Sequence, residues 1–355
     1  MDIRDFAFDL PRELIAQEPA VEREAARLLQ LRREDGSMTH QRVSDLPTLL
    51  RSGDLIVVNK TRVFPARLLG HRVPTGGGVE CLLIARLDPV ESEAAPEERW
   101  EALMHPGQKL KPGAAVTFPG RVPLLAEVIE RRFFGRRVIR LWTGNGSPVR
   151  DAIDAIGHVP LPPYIRRDDR FSDRERYQTV FAEARGSVAA PTAGLHFTPG
   201  LVDALRARGV TTTSITLHIG YGTFQPVRVR RIEEHRLEPE RFEIEDAAAR
   251  AINDALSDRR RVIAVGTTTT RTLEAVGRAH DGSIAAGAGS TDLFIYPGFR
   301  FRVIRGLITN FHLPQSSLLM LVAAFAGTDC VLAAYREAVA ARYRFYSYGD
   351  AMLIV

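Results

Sequence analysis

Val262-Ile263-Ala264-Val265-Gly266-Thr267-Thr268-Thr269-Thr270-Arg271-Thr272-Leu273-Glu274 is the stretch whose reading decides the fold. Four consecutive apolar residues make a strand with no polar face. A hydroxyl-rich turn follows, and a helix is predicted over Thr270–Ala279. A strand buried on both faces belongs to a sheet covered by helices on both sides. The same grammar recurs where Leu55-Ile56-Val57-Val58 runs into Asn59 and where Gly306-Leu307-Ile308-Thr309 runs into Asn310. Further helices are expected at Pro199–Arg208, Ile244–Ser257, Ser316–Ala326 and Asp329–Arg342. Gly209 and Gly327 serve as stops, Thr328 as a cap, and Ala351–Val355 as a last strand.

Between about Ala66 and Arg150 the pattern changes to short strands: Ala66–Val73, Val79–Leu87, Trp100–Met104, Ala115–Phe118, Leu124–Glu130 and Val138–Trp142. Turn residues separate them, as in Pro74-Thr75-Gly76-Gly77-Gly78 and Gly144-Asn145-Gly146, and the acidic stretch Asp88–Glu98 reads as a loop. Strands at this spacing suggest a small barrel. The expected architecture is therefore an α/β domain made of residues 1–65 and 151–355, interrupted by a barrel-like all-β domain at residues 66–150.

The chain has 355 residues, 45% hydrophobic and 26% charged, which suits an ordinary two-domain globular protein. Cys81 and Cys330 lie far apart and outside any paired spacing, so neither a disulfide scaffold nor a thiolate metal site is supported. The longest apolar stretch, Leu318–Ala326, is too short to span a bilayer, and the first residues carry no export pattern. A cytoplasmic location without membrane contact is the expectation. The net charge of +5 is carried almost wholly by arginine, clustered at Arg131, Arg132, Arg136 and Arg137, at Arg166, Arg167 and Arg170, at Arg228, Arg230 and Arg231, and at Arg259–Arg261. Such clusters permit contact with a polyanion and fit an ordinary solvated surface equally well.

In open α/β sheets ligands gather beyond the carboxyl ends of strands. Four such junctions are polar: Asn59-Lys60-Thr61-Arg62; Thr216 to Gln225, with His218, Tyr221 and Phe224; Val265 to Glu274, with Thr267, Thr268 and Arg271; and Thr309 to Ser317, with Asn310, His312 and Gln315. A fifth stretch, Gly186 to Thr198 (GSVAAPTAGLHFT), sets His196 just before a helix that Thr198 caps and Pro199 opens. The positive end of that helix disfavours imidazolium, which suits a base. The same pattern also fits a histidine that only packs a helix entrance. No HExxH, aspartate cluster, Walker loop or Gly-x-Ser-x-Gly elbow is present, so no metal site is expected.

Several long motifs, in order over nearly the whole chain, resemble the S-adenosylmethionine:tRNA ribosyltransferase-isomerase family of queuosine biosynthesis. They are Asn59–Val63 with Ala66–Leu68, Gly157–Ile165, Arg176–Val180, APTAGLHFT, Leu217–Val227, Val265–Glu274, Phe294–Phe301 and Thr309–Gly327. The resemblance implies an α/β domain with an inserted barrel, and a monomer. It implies transfer and isomerisation of the ribosyl part of S-adenosylmethionine onto 7-aminomethyl-7-deazaguanine at the tRNA wobble position, giving epoxyqueuosine, adenine and methionine. S-adenosylmethionine is then a consumed substrate, with no retained cofactor and no metal.

A sulfonium acidifies the adjacent ribose C5′ hydrogens, so the reaction calls for a base, and adenine must leave with a proton. His196, His218, His235 and His312 are the candidates for proton transfer, with His196 favoured as the base. Arg271 and the Thr267–Thr270 turn suit the methionine carboxylate, Glu274 its ammonium, and Tyr221 or Phe224 the sulfonium or adenine. Asn59, Arg62, Asn310 and Gln315 are candidates for ribose, base edges or phosphate, and Arg166, Arg167, Arg228, Arg230 and Arg231 for the tRNA backbone. One departure stands out: where the family often carries His-x-Met-His-x-Glu, this chain has His235-Arg236-Leu237-Glu238-Pro239-Glu240. Two rivals stay open, a methyltransferase, which would leave S-adenosylhomocysteine, and a non-catalytic RNA-binding module.

Overall fold

The computed structural model describes residues 1–87, 96–224 and 226–355. The first strands, β1 (Arg27–Leu31), β2 (Met38–Arg42), β3 (Leu55–Asn59) and β4 (Thr61–Val63), precede a closed six-stranded barrel. Its strands are β5 (Arg67–Val73), β6 (Gly78–Arg86), β7 (Glu97–His105), β8 (Ala115–Phe118), β9 (Leu124–Arg131) and β10 (Arg136–Thr143). After the barrel come β11 (Ala184–Ser187), β12 (Thr211–Leu217), β13 (Glu240–Ile244), β14 (Val262–Val265), β15 (Gly287–Thr291), β16 (Gly306–Asn310) and β17 (Ala351–Ile354). The fold class is the expected one, an α/β sheet with a barrel between its strands in sequence. Of the acidic stretch expected as a loop, residues 88–95 lie outside those described, and Glu97 and Glu98 already belong to β7.

Nine strands form one sheet in the order β15-β13-β12-β3-β14-β16-β17-β1-β2. Its centre, β12-β3-β14-β16, is parallel, while β17 runs antiparallel to β16 and parallel to β1. Successive side chains point to opposite faces. Val57, Val262 and Ala264 pack on one core with α5 (Asp246–Ser257), α6 (Thr267–Ala279), α7 (Ser317–Ala326) and α8 (Thr328–Ala340). Ile56, Val58, Ile263 and Val265 pack on another core with α4 (Pro199–Ala207). Helix α7 is apolar on every side because it is interior. Among the described residues no single helix is long and apolar enough to cross a membrane; α7 and α8 together reach that length only as a pair bent by 116°.

The helix starts differ from expectation in four places, the smallest being α7, where Ser316 is the N-cap and Ser317 the first residue. Helix α6 begins at Thr267, so the hydroxyl-rich stretch is its first turn and not a turn before it. Ile244 ends β13, and α5 starts two residues later. Gly327, at φ 89°, caps α8, and Thr328 is its first helical residue.

The barrel is filled by alternate side chains, among them Leu68, Cys81, Leu83, Phe118, Val128 and Leu141, and is closed below by Val149, Ala152 and Ile153 of α2 (Val149–Ile156). Burial pushes the Cys81 thiol up, so it behaves as core and not as nucleophile. The two chain crossings into and out of the barrel are tied together. His158 N donates to the Arg67 carbonyl at 2.8 Å, and Arg67 N donates to the His158 carbonyl at 3.2 Å. A Cβ at Gly157 would lie 2.1 Å from the Pro65 carbonyl oxygen and 2.6 Å from that of Ile153, both backbone atoms. Gly157→Ala is therefore expected to cost about 1–3 kcal/mol, the range of core overpacking. An unchanged midpoint in urea unfolding would contradict this close approach.

Candidate active site

Strand β14 is followed by Gly266, whose φ of 89° and ψ of 156° suit glycine almost exclusively. That residue aims the first turn of α6, with its unpaired backbone N–H groups, into a pocket. Three threonine hydroxyls are spent locally: Thr269 donates to the Val265 carbonyl at 2.8 Å, Thr270 to Gly266 at 3.1 Å and Thr272 to Thr268 at 3.1 Å. The buried Thr268 hydroxyl has no partner. Thr267 and Thr268 both line the pocket.

The neighbouring parallel strand, β16, and the residues just after it supply the facing wall through Thr309, Asn310 and His312. The Asn310 amide oxygen accepts from the Thr192 hydroxyl at 3.1 Å, and its amide nitrogen donates to His196 Nε2, also at 3.1 Å. His196 is therefore an acceptor at Nε2 and neutral. Burial is the larger cause holding its pKa down to about 4, with Arg23 and Arg344 adding repulsion. Thr198 does cap α4, accepting from Leu201 N at 3.1 Å. Yet His196 stands behind Asn310 and faces a separate recess with Arg23 and Arg176. His312 does line the pocket; its Nε2 lies 2.9 Å from the Thr309 hydroxyl, and burial pushes its pKa down to about 3.

Three tyrosines that the sequence reading gave no role complete the enclosure. Tyr164, Tyr177 and Tyr346 line the pocket beside Ala189–Ala193, and the rings of Tyr164 and Tyr346 meet edge to face at 3.9 Å. Tyr346 has φ 73°, a strained conformation for a large side chain, and its N donates to the Phe311 carbonyl at 2.9 Å. Burial pushes its hydroxyl up to about 12, so the ring stays neutral. The space enclosed, mouth included, is about 530 Å³.

Other expected site residues lie elsewhere, each for a visible reason. Glu274 is fully buried and accepts from the backbone N–H groups of Arg302, Val303 and Ile304 at 2.8–3.0 Å, so it holds that loop and is not free for an ammonium. Arg271 forms a buried pair with Glu240 at 2.5 Å and donates to the Leu293 carbonyl, which takes it out of the pocket. Glu240 in turn accepts from Gly220 N at 3.0 Å. Asn59 bonds the Leu217 carbonyl and accepts from the N–H groups of Thr61 and Leu217, joining β3 to β12. Arg62 is exposed on β4.

Gln315, at φ 58°, bonds the Phe6 carbonyl through its backbone and lies outside the pocket lining. His218 lies in another cleft, 2.9 Å from the Thr61 hydroxyl, and His235 packs on the Phe294 ring. Burial lowers the pKa of both. Tyr221 lines a third cleft, and the Phe224 side chain falls outside the described residues. At the departing motif position, Glu238 pairs with Arg136 of the barrel.

Of the arginines expected to meet RNA, Arg167 is held by Asp173 and Glu18, while Arg166, Arg228, Arg230 and Arg231 are exposed, Arg230 pairing with Asp2 and Arg231 lying 3.9 Å from Glu233. Among the described residues no three His, Cys, Asp or Glu side chains converge as a metal site requires.

The queuosine biosynthesis protein family matches residues 3–354. The chain belongs to that family. It is 51% identical over the full length of both chains to the S-adenosylmethionine:tRNA ribosyltransferase-isomerase of Heliobacterium modesticaldum, and 49% identical, again over both full lengths, to that of Symbiobacterium thermophilum. Among solved structures, the S-adenosylmethionine tRNA ribosyltransferase of Thermotoga maritima is 36% identical, with 99% of this chain and 100% of that one covered and a TM-score of 0.55.

The two buried imidazoles of the family member described here carry a pH signature. Their folded pKa values of about 4 and about 3 lie below the ordinary 6.5, so the unfolded chain binds more protons as pH falls. Their contribution is complete above pH 6.5 and is lost below it, toward pH 4 for His196 and pH 3 for His312. The melting temperature of the wild type should fall more steeply between pH 7 and pH 4 than that of His312→Gln, measured by calorimetry. Parallel curves would show that His312 is not buried in its neutral form.

Proposed function

We infer that this chain is a ribosyltransferase-isomerase that consumes S-adenosylmethionine and modifies a tRNA bearing 7-aminomethyl-7-deazaguanine, in the pocket between β14 and β16. One observation carries the assignment to this pocket. A helix N-terminus with an unpartnered buried hydroxyl, a neutral imidazole and three tyrosine rings meet there, in a chain about half identical from end to end to enzymes named for this activity.

The roles follow from chemistry. The N–H groups at the start of α6 and the Thr268 hydroxyl suit the methionine carboxylate, since a helix N-terminus favours an anion. The electron-rich faces of Tyr164, Tyr177 and Tyr346 suit the sulfonium, whose attraction to an aromatic ring grows as water is excluded. His312 is the imidazole available to accept a C5′ proton, and the proton it takes is then at hand for the departing adenine. Asn310 orients the ribose. His196 is a positioning residue, because its Nε2 fixes which way the Asn310 amide points.

Incubation with S-adenosylmethionine and precursor-bearing tRNA should release adenine and methionine and add the ribosyl mass to the nucleoside. S-adenosylhomocysteine in place of adenine would reject this reading for a methyltransferase. In single turnover with saturating substrates, His312→Gln should slow adenine release by about 10²–10⁴-fold, the usual worth of a general base. Thr268→Val should raise the KM for S-adenosylmethionine about 3- to 10-fold, the worth of one hydrogen bond, and leave the rate nearly intact. A wild-type rate for His312→Gln would remove it from proton transfer.

A further inference from the structure

The cleft lined by Tyr221 lies against the barrel. On one side it is lined by Arg67, Glu80, Met104 and Gly135, and on the other by the segment from Val159 to Asp169. Tyr164, inside that segment, turns away into the pocket between β14 and β16, so the segment is a partition with one space on each side. The cleft is large, about 1510 Å³ with its open mouth.

Its charges are mostly neutralised. Arg67 pairs with Glu80 at 2.7 Å, Arg167 with Asp173 at 2.7 Å, and Asp169 lies 2.8 Å from His158. Among the described residues Arg166 is exposed and meets no carboxylate at ion-pair distance. Charge alone is a weak source of affinity here. The segments next to the cleft hold something else. Phe133, two residues before Gly135 at the tip of the β9–β10 hairpin, and Phe171, two residues after Asp169, are each 87% exposed, and no other phenylalanine among the described residues is as open. One ring comes from the barrel and one from the α/β domain. Isolated exposed apolar side chains need no explanation, but two open rings, each two residues along the chain from a residue lining the same cleft, offer the stacking surfaces that unpaired bases use. A duplex hides those faces, and single-stranded RNA loops present them.

We propose that this cleft seats the unpaired loop of the RNA substrate, with bases beside the reacting one stacked on Phe133 and Phe171 and a phosphate on Arg166. The proposal rests on the ribosyl-transfer reading and adds to it the face from which RNA reaches the partition. The probe is a synthetic hairpin RNA with 7-aminomethyl-7-deazaguanine as the first anticodon base, titrated by fluorescence anisotropy at fixed salt. Phe133→Ser and Phe171→Ser should each weaken its binding about five- to a hundredfold, the range for loss of one stacked base.

Tryptophan at either position should restore binding. The KM for S-adenosylmethionine and the melting temperature should stay at wild-type values, since both rings are solvent-exposed. Arg166→Gln should lower the slope of log Kd against log salt by about one. Wild-type affinity in the double serine variant, or equal losses for a blunt RNA duplex and the hairpin, would overturn the proposal. Failure of the functional reading shows separately, as absence of adenine from the wild type with the same hairpin, because the titration needs no turnover.

Discussion

The parallel pairing of β12, β3, β14 and β16 is the constraint on which the rest depends. Because these four strands run the same way, their carboxyl ends open on one edge, and the residues just beyond them share that edge. Register matters as much as direction. Ile263 pairs with Ile56 and Gly306, so alternate side chains enter the α4 core while Val262 and Ala264 enter the α6–α7 core. A slip of one residue would exchange both sets and turn the start of α6 away from β16.

On that scaffold the pocket is held by polar groups that have left water. Desolvated donors and acceptors cost free energy unless paired, so their pairing fixes their geometry. Thr192, Asn310 and His196 form such a chain, in which each side chain settles the orientation of the next. Burial keeps both nearby imidazoles neutral at ordinary pH, so neither adds positive charge beside the pocket. The Thr268 hydroxyl, like that of Tyr177, is left without a partner in this wall.

Much of this was legible in the chain. Runs such as Val262–Val265 have no polar side, which announces a doubly covered sheet, and the short strands between Ala66 and Arg150 announce the barrel. Strand-end polarity picked out Thr267, Thr268, Asn310 and His312, which the fold brings together around one pocket. The misreadings share a cause: sequence gives the type of a side chain, and its partner is set by distant residues. Glu274 looked like an ammonium ligand until the loop at Arg302–Ile304 claimed it, and Arg271 looked like an anion ligand until Glu240 claimed it. The edge strand β15 escaped notice because Gly287–Thr291 carries no apolar alternation, and its neighbour β13 is only five residues long. The tyrosines could be found only through the fold, since Tyr164, Tyr177 and Tyr346 converge from remote parts of the chain.

A crystal structure of the protein with S-adenosylmethionine tests the central claim most directly. The account predicts the methionine carboxylate on the N–H groups at the start of α6 and the Thr268 hydroxyl, the sulfonium against the tyrosine rings, and C5′ within reach of His312. Density for the molecule in the cleft beside His218, or with its carboxylate on Arg271, would contradict it.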